Sequence, residues 1–199
     1  MAYNGAHFSG DLVGRASKSV EFDGNDDYFL VQDNGRLNSE DVTVSMIIMV
    51  TNTNRRQAFL NRVNTNSATG FAYGLGQSLD ATNRWDFGVG DPGKDCNSPL
   101  VYEDGLYARS TETSQLGRWY HLIGIFSKGI QKLYVDGQLK VTLNRSFNSI
   151  SQCANTSLIL GGWWKNDIVS VAGKIDEVRI YDQVLNECGI VELSKVFKE

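Results

Sequence analysis

Cysteine, histidine and proline are scarce in this chain, and each shortage narrows what it can be. Three cysteines among 199 residues, Cys96, Cys153 and Cys188, are too few for a disulfide-built scaffold. They allow one bridge plus a free thiol, or three buried thiols, and both arrangements stay open. Two histidines, His7 and His121, are the only imidazoles. Positive charge is in deficit: 19 Lys plus Arg against 23 Asp plus Glu give a net charge of −4. No basic field is available to hold nucleic acid. No run of 18 apolar residues exists, so no membrane-inserting helix is expected. The Met1–Gly10 start is too polar for a signal-peptide core.

Glycine and aromatics are plentiful instead, with 20 Gly, 4 Trp, 8 Tyr and 9 Phe against 2 Pro. That balance favours short strands joined by tight turns over a helical bundle. A chain of this length buries about 70% of its extended surface on folding, enough for one core without staples or metal. A single domain over residues 1–199 is therefore expected.

The strand signals are dense. "SVEF" (Ser19–Phe22), "YFLVQ" (Tyr28–Gln32) and "VTVSMIIMV" (Val42–Val50) come first, the last a central strand by its β-branched residues. "QAFLNRV", "GFAYGLG", "RWDFGVG" (Arg84–Gly90) and "GLYARS" (Gly105–Ser110) follow. The second half adds "RWYHLIGIF" (Arg118–Phe126), "QKLYVDGQLKVTL" (Gln131–Leu143), "TSLILGG" (Thr156–Gly162) and "GKIDEVRIYD" (Gly173–Asp182). Asp136–Gly137 reads as a hairpin turn that needs φ > 0 at both residues. One helix is expected in "NECGIVELSKVF", capped by Asn186, with Ile190, Val191, Leu193 and Val196 as its apolar stripe. Residues 91–105, rich in Asp, Gly, Asn and Pro, read as a long surface loop. With no helices alternating with strands, the pattern is all-β: a two-sheet antiparallel β-sandwich with a short C-terminal helix.

Catalytic motifs are missing from the pattern. There is no HExxH, no P-loop and no complete dinucleotide fingerprint. Gly70, Gly74 and Gly76 sit in a strand with nothing helical after them, so they do not cradle phosphate. Asp23, Asn25 and Asp27 have EF-hand-like spacing, but Tyr28 stands where glycine is required and Asn34 where glutamate is. Asn144 ("NRS") and Asn155 ("NTS") are acceptor triplets for glycosylation.

The run "RWYHLIGIFS…IQKLYVDGQL", followed by "LILGGW" and "GKIDEVRIYDQVLNECGIVEL", resembles the laminin-G-like, concanavalin A-like jelly roll. "SVEFDGNDDYFLVQ" matches that family's opening strands, and the resemblance covers roughly Ser19 to Leu193. Met46 and Ile47 stand where an Ala-Trp pair is usual. The resemblance implies a jelly roll whose last strand lies beside its opening one, with Trp119 and alternate positions after it on the inner sheet face and His121 as a packing residue. Glycoside hydrolases on this frame carry Glu-x-Asp-x-x-Glu on one strand, a paired-carboxylate arrangement for acid and base work. This chain has no such run; Glu21 and Asp23 are the nearest pair and lack a third acid. No enzyme is therefore expected.

Related jelly rolls often hold one structural calcium ion. Carried over, the ligands are Asp176 of "KIDEV" with Asp23 and Asp27 of the "DGNDD" turn; the plain alternative is that Asp26 and Asp27 merely solvate a hairpin turn. For sugar, an aromatic platform ringed by polar groups is needed. "GGWWKND" supplies Trp163, Trp164 and Asn166, and Trp85 beside Arg84 suits a concave sheet face. Three functions follow. A non-catalytic, calcium-assisted carbohydrate-binding module leads, with a glycan or polysaccharide partner. A surface or virion adhesion protein, as a homo-oligomer or larger assembly, is second, and a polysaccharide hydrolase or lyase third. The resemblance implies an extracellular or surface location.

Overall fold

The computed structural model describes residues 2–33, 35–66, 69–78, 83–97, 106–154, 156–163 and 169–196. The β-branched and aromatic runs form strands and the turn clusters between them reverse the chain, giving two antiparallel sheets, each of seven strands among the described residues. Sheet I has the order β1-β4-β13-β6-β7-β8-β9. Its strands are β1 (Ala2–Tyr3), β4 (Tyr28–Gln32), β6 (Gln57–Asn64), β7 (Thr69–Gln77), β8 (Arg84–Val89), β9 (Tyr107–Thr113) and β13 (Ser157–Leu160). Sheet II has the order β12-β11-β10-β5-β14-β3-β2. It is built from β2 (His7–Ser9), β3 (Ser19–Asp23), β5 (Val42–Val50), β10 (Trp119–Ser127), β11 (Ile130–Val135), β12 (Gln138–Asn144) and β14 (Ala172–Tyr181). Helix α1 spans Glu187–Val196.

The apolar run Val42–Val50 is the middle strand of sheet II, buried along nearly its whole length. The last strand, β14, lies between it and the opening strand β3, pairing Ile175 with Val20 and with Ile48. Asp136 and Gly137 take φ values of 52° and 79° and close the β11–β12 hairpin.

The main core fills the space between the sheets. Phe59, Leu75, Trp85 and Phe87 of sheet I meet Val44, Met46, Ile48, Leu122 and Phe126 of sheet II. Each such side chain contributes roughly 1.5–3 kcal/mol through burial. Gly124 is required at one close approach, because a Cβ there would lie 2.2 Å from the Phe87 ring.

Alternation along β10 runs opposite to expectation. Tyr120, Leu122 and Phe126 face the main core, while Ile123 and Ile125 form a second cluster with Tyr134, Ile190 and Leu193. Trp119 and its alternates thus lie on the outer face of sheet II, which helix α1 covers. Both faces of β10 are apolar, so period-2 patterning alone does not assign them. Asn186 caps the helix, its Oδ1 accepting from Gly189 N at 2.9 Å. Val191, expected in the apolar stripe, is instead 53% exposed. Ile190 and Leu193, three residues apart on one helical face, make the contact.

Two further differences involve the N-terminal third. Strands β1 and β2 form in a segment too polar to signal them; β1 pairs with β4 and β2 with β3. The turn joining β3 and β4 is no hairpin, because the two strands lie in different sheets. Cys96 and Cys153 form a disulfide, and Cys188 is free and exposed.

Candidate functional site

Register fixes which side chains of sheet I point away from sheet II. In antiparallel pairs, directly opposed residues share a face. Asn61 opposes Gly74, Gly74 opposes Gly88, and Gly88 opposes Tyr107. In the next row Ala58 opposes Gly76, Gly76 opposes Asp86, and Asp86 opposes Arg109. Phe59, Leu75, Trp85 and Phe87 belong to the core between the sheets, so both rows lie on the outer face.

That face has a floor of backbone. Side chains cannot be accommodated at its three glycines without displacement: a Cβ on Gly74 would lie 2.1 Å from Asn61 Oδ1, on Gly76 2.8 Å from the Gln57 carbonyl, and on Gly88 2.5 Å from the Tyr107 ring. Strand glycines of this kind mark places where other groups approach the backbone closely. The opening left above them, a small cleft of about 10 Å³, is lined by Arg56 and by Asn61, Asp86, Tyr107 and Trp163, all four of them buried. Arg109 donates through Nε to Asp86 Oδ1 at 2.8 Å and through a terminal nitrogen to Oδ2 at 3.3 Å, a two-point pair that holds both side chains in place. Asn61 Nδ2 donates to the Gly162 carbonyl at 3.2 Å, tying the cleft to the segment that carries Trp163.

The sugar-site residues expected from sequence divide. Arg84, Asp86 and Gly88 alternate with Trp85, so Arg84 lies on the outer face and Trp85 points inward. Trp85 is 0% exposed, packed between Phe59 at 5.8 Å and Tyr120 at 4.8 Å between ring centroids. It is a core residue, and the surface role expected for it is corrected. Trp163 does reach the outer-face cleft, but it is buried, stacked on Phe71 at 5.6 Å and carrying the Arg56 guanidinium at 4.9 Å. With these partners it is a wall of the cleft rather than a bare platform. Trp164 and Asn166 lie outside the described residues. Asp86 and Asn61, which no sequence motif marks, are buried polar groups of the same face. The signal for Asp86 was the same alternation: a strand that buries Trp85 must turn Asp86 outward.

The acidic turn between β3 and β4 is a second constellation. Asp23, Asp26 and Asp27 place one carboxylate oxygen each within 4.8 Å of the others. Asp23 organises the turn, accepting from Asn25 N at 2.7 Å and Asn25 Nδ2 at 2.9 Å; the Asn25 bonds hold its carboxyl below the usual range. Asp27 is 3% exposed, and its Oδ2 accepts from Asp23 N at 2.9 Å. Its Oδ1 is buried without a hydrogen-bond partner, and burial pushes the carboxyl pKa up. Gly5 leaves the space beside that oxygen open, since a Cβ there would lie 2.7 Å from it. An all-oxygen donor set with one desolvated, unsatisfied carboxylate oxygen fits a hard cation such as calcium.

Asp176 does not join this group, which corrects its place in the ligand set. Ala172 of β14 opposes Asp23, and Asp176 stands four residues further along, opposite Ile47. At strand rise that is about 13 Å away. Its Oδ1 accepts from Glu177 N at 2.8 Å, and burial raises its pKa.

His121 is 2% exposed on the outer face of sheet II, with Nε2 2.8 Å from Ser45 Oγ. Burial, aided by Arg179, lowers its pKa to about 4, so it is neutral at pH 7. His7 lies on edge strand β2, its Nδ1 3.1 Å from the Gly5 carbonyl. Glu21 is engaged by Ser9 Oγ at 2.7 Å and by Lys174 at 3.4 Å. These contacts brace strands.

A family model described as the concanavalin A-like lectin/glucanases superfamily matches residues 23–191. The chain belongs to that superfamily. Comparison with curated protein sequences finds no match. Among solved structures, this superfamily member is similar to domain 4 of an extracellular arabinanase from Geobacillus stearothermophilus, solved with arabinotriose. Identity is 21%, the TM-score is 0.65, and the match covers 96% of this chain and 82% of that one. It is also similar to the CBM40 module of a Ruminococcus gnavus IT-sialidase bound to α2,3 sialyllactose, at 16% identity and TM-score 0.66 over 90% and 96% of the two chains. The botulinum neurotoxin serotype D binding domain matches at 16% identity and TM-score 0.66, with all of this chain covering 46% of that one. At these identities the likeness establishes the fold. Among the described residues, no helix is long and apolar enough to cross a membrane.

Proposed function

We propose that this superfamily member is a non-catalytic carbohydrate-binding module whose ligand meets the outer face of sheet I. The observation that carries the reading is the cluster of buried polar and aromatic groups packed over the strand glycines, Asn61 and the Asp86–Arg109 pair beside Tyr107 and Trp163, around a small opening. Planar polar groups that donate and accept, next to aromatic surface, match a sugar's mix of hydroxyls and apolar ring faces. The arabinotriose and sialyllactose complexes of similarly folded domains support this reading.

Calcium at Asp23, Asp26 and Asp27 is the proposed structural partner. When bound, the ion would neutralise three crowded carboxylates and satisfy Asp27 Oδ1, fixing the turn through which the chain passes between sheets. An extracellular setting accords with the Cys96–Cys153 disulfide, which oxidising compartments preserve.

The test is a glycan array with purified protein in calcium and in chelator, alongside Asp86→Asn and Asp27→Asn variants. Saturable binding that Asp86→Asn weakens in a folded protein is the expected result. Chelator should lower the thermal midpoint of the parent and leave Asp27→Asn unmoved. No glycan bound under either condition would defeat the carbohydrate reading; a midpoint indifferent to chelator would defeat the calcium reading alone.

A further inference from the structure

A larger open space lies elsewhere, where the edges of the two sheets meet. Strand β9 ends sheet I and β12 ends sheet II. Between them is a groove of about 510 Å³, lined by Thr111, Glu112 and Thr113 of β9, by Gln115, Arg118 and Tyr120, and by Val135, Asp136, Gln138 and Lys140 of the β11–β12 hairpin. That volume is within the range of small-molecule sites.

The groove's charges are already matched. Lys140 Nζ donates to Glu112, linking the two sheets across the groove, and to Gln138 Oε1 at 2.8 Å. Arg118 donates to Asp136 Oδ2 at 2.8 Å and lies 4.5 Å over the Tyr120 ring. Asp136 Oδ1 in turn accepts from His121 N at 2.9 Å, and the Tyr120 hydroxyl accepts from Gln115 N at 3.0 Å. Two cations thus face two carboxylates. An anionic ligand would have to displace Glu112 or Asp136 from its partner; an uncharged one need not. Carboxylate and hydroxyl oxygens keep further lone pairs for a ligand's hydroxyls. The exposed Thr111, Thr113, Gln115 and Gln138 add neutral donors and acceptors.

We infer that this edge groove is a second binding site, taking an uncharged, hydroxyl-rich ligand of the neutral saccharide class. It goes beyond the outer-face reading and shares none of that cleft's lining residues.

Titration followed by amide NMR on the full chain tests it, with lactose, arabinotriose and 3′-sialyllactose as probes. Lactose or arabinotriose should shift the amides of Thr111–Thr113 and Gln138–Lys140 saturably, and sialyllactose should bind there no tighter than lactose. Gln138→Ala, at an exposed position, should weaken that binding roughly fivefold to tenfold, the effect of one lost neutral hydrogen bond. Thr113→Val gives an independent check with the same expected direction. Shifts confined to the groove support the inference even where the outer-face placement fails. Shifts confined to Asn61, Asp86 and Tyr107 overturn it and leave the outer-face reading intact. Sialyllactose binding roughly tenfold tighter than lactose at the groove also overturns it, as does silence with all three probes.

Discussion

Replacing His121 by Gln should remove a specific part of this protein's sensitivity to acid. The imidazole is 2% exposed, with Ser45 Oγ 2.8 Å from Nε2, and burial with Arg179 nearby lowers its pKa to about 4. In the unfolded chain it titrates near 6.5. The unfolded state therefore binds the proton first as pH falls, and stability drops through the window from about 6.5 to about 4. A fall from about 6.5 to about 4 corresponds to about 3 kcal/mol at full effect. Between pH 7.5 and 4.5 most of that is realised, about 2–3 kcal/mol. Carboxylates held below their usual pKa, at Asp11, Glu21 and Asp23, also lose stabilisation in acid, whereas the raised Asp27 and Asp176 act oppositely. All of these are common to parent and variant and largely cancel in the difference. Urea unfolding of both proteins at pH 7.5, 6 and 4.5 supplies the free energies. The parent should lose about 2–3 kcal/mol more than His121→Gln over that range. Parallel pH curves would show that His121 protonates alike folded and unfolded, and the burial reasoning would be wrong.

Other outcomes follow from packing and chain entropy. Replacing Cys96 and Cys153 by Ser should cost about 4 kcal/mol in the loop-entropy description for a separation of 57 residues, read by urea unfolding, with Cys188→Ser near neutral. Trp85→Ala should cost roughly 3–5 kcal/mol, a core value; a loss well under 1 kcal/mol in the same measurement would contradict its burial. Gly74→Ala drives a Cβ to 2.1 Å from Asn61 Oδ1 and should cost roughly 1–3 kcal/mol while shifting the Asn61 amide resonance.

Much of the architecture was legible because strands here are short, apolar and punctuated by turns. Tyr28–Gln32 and Val42–Val50 have the bounds that their β-branched and aromatic runs imply. Face assignment was harder. In β10, Tyr120, Leu122 and Phe126 alternate with Ile123 and Ile125, and both sets are buried, one under the opposite sheet and one under α1. A pattern apolar on both sides contains no parity. The candidate site suffered from the same ambiguity in β8, where Trp85 drew attention that belonged to Asp86. The glycine floor depends on which residues of β6, β7, β8 and β9 stand opposite one another, and register across four strands is not written in any local motif. The β3–β4 turn reads locally as a hairpin, and only pairing with β14 and β13 sends its two strands to different sheets.

Helix α1 gives the molecule a back and a front. It seals Ile123, Ile125 and Tyr134 on sheet II, while the outer face of sheet I carries the glycine floor. A tether attached to the exposed Cys188 thiol of the helix leaves from the sealed side. Immobilised that way on a sensor or bead, the protein presents the outer face of sheet I outward, whereas anchoring through a lysine in place of Arg84 would turn that face to the support. Orientation on a surface is thus a design variable set by a ten-residue helix.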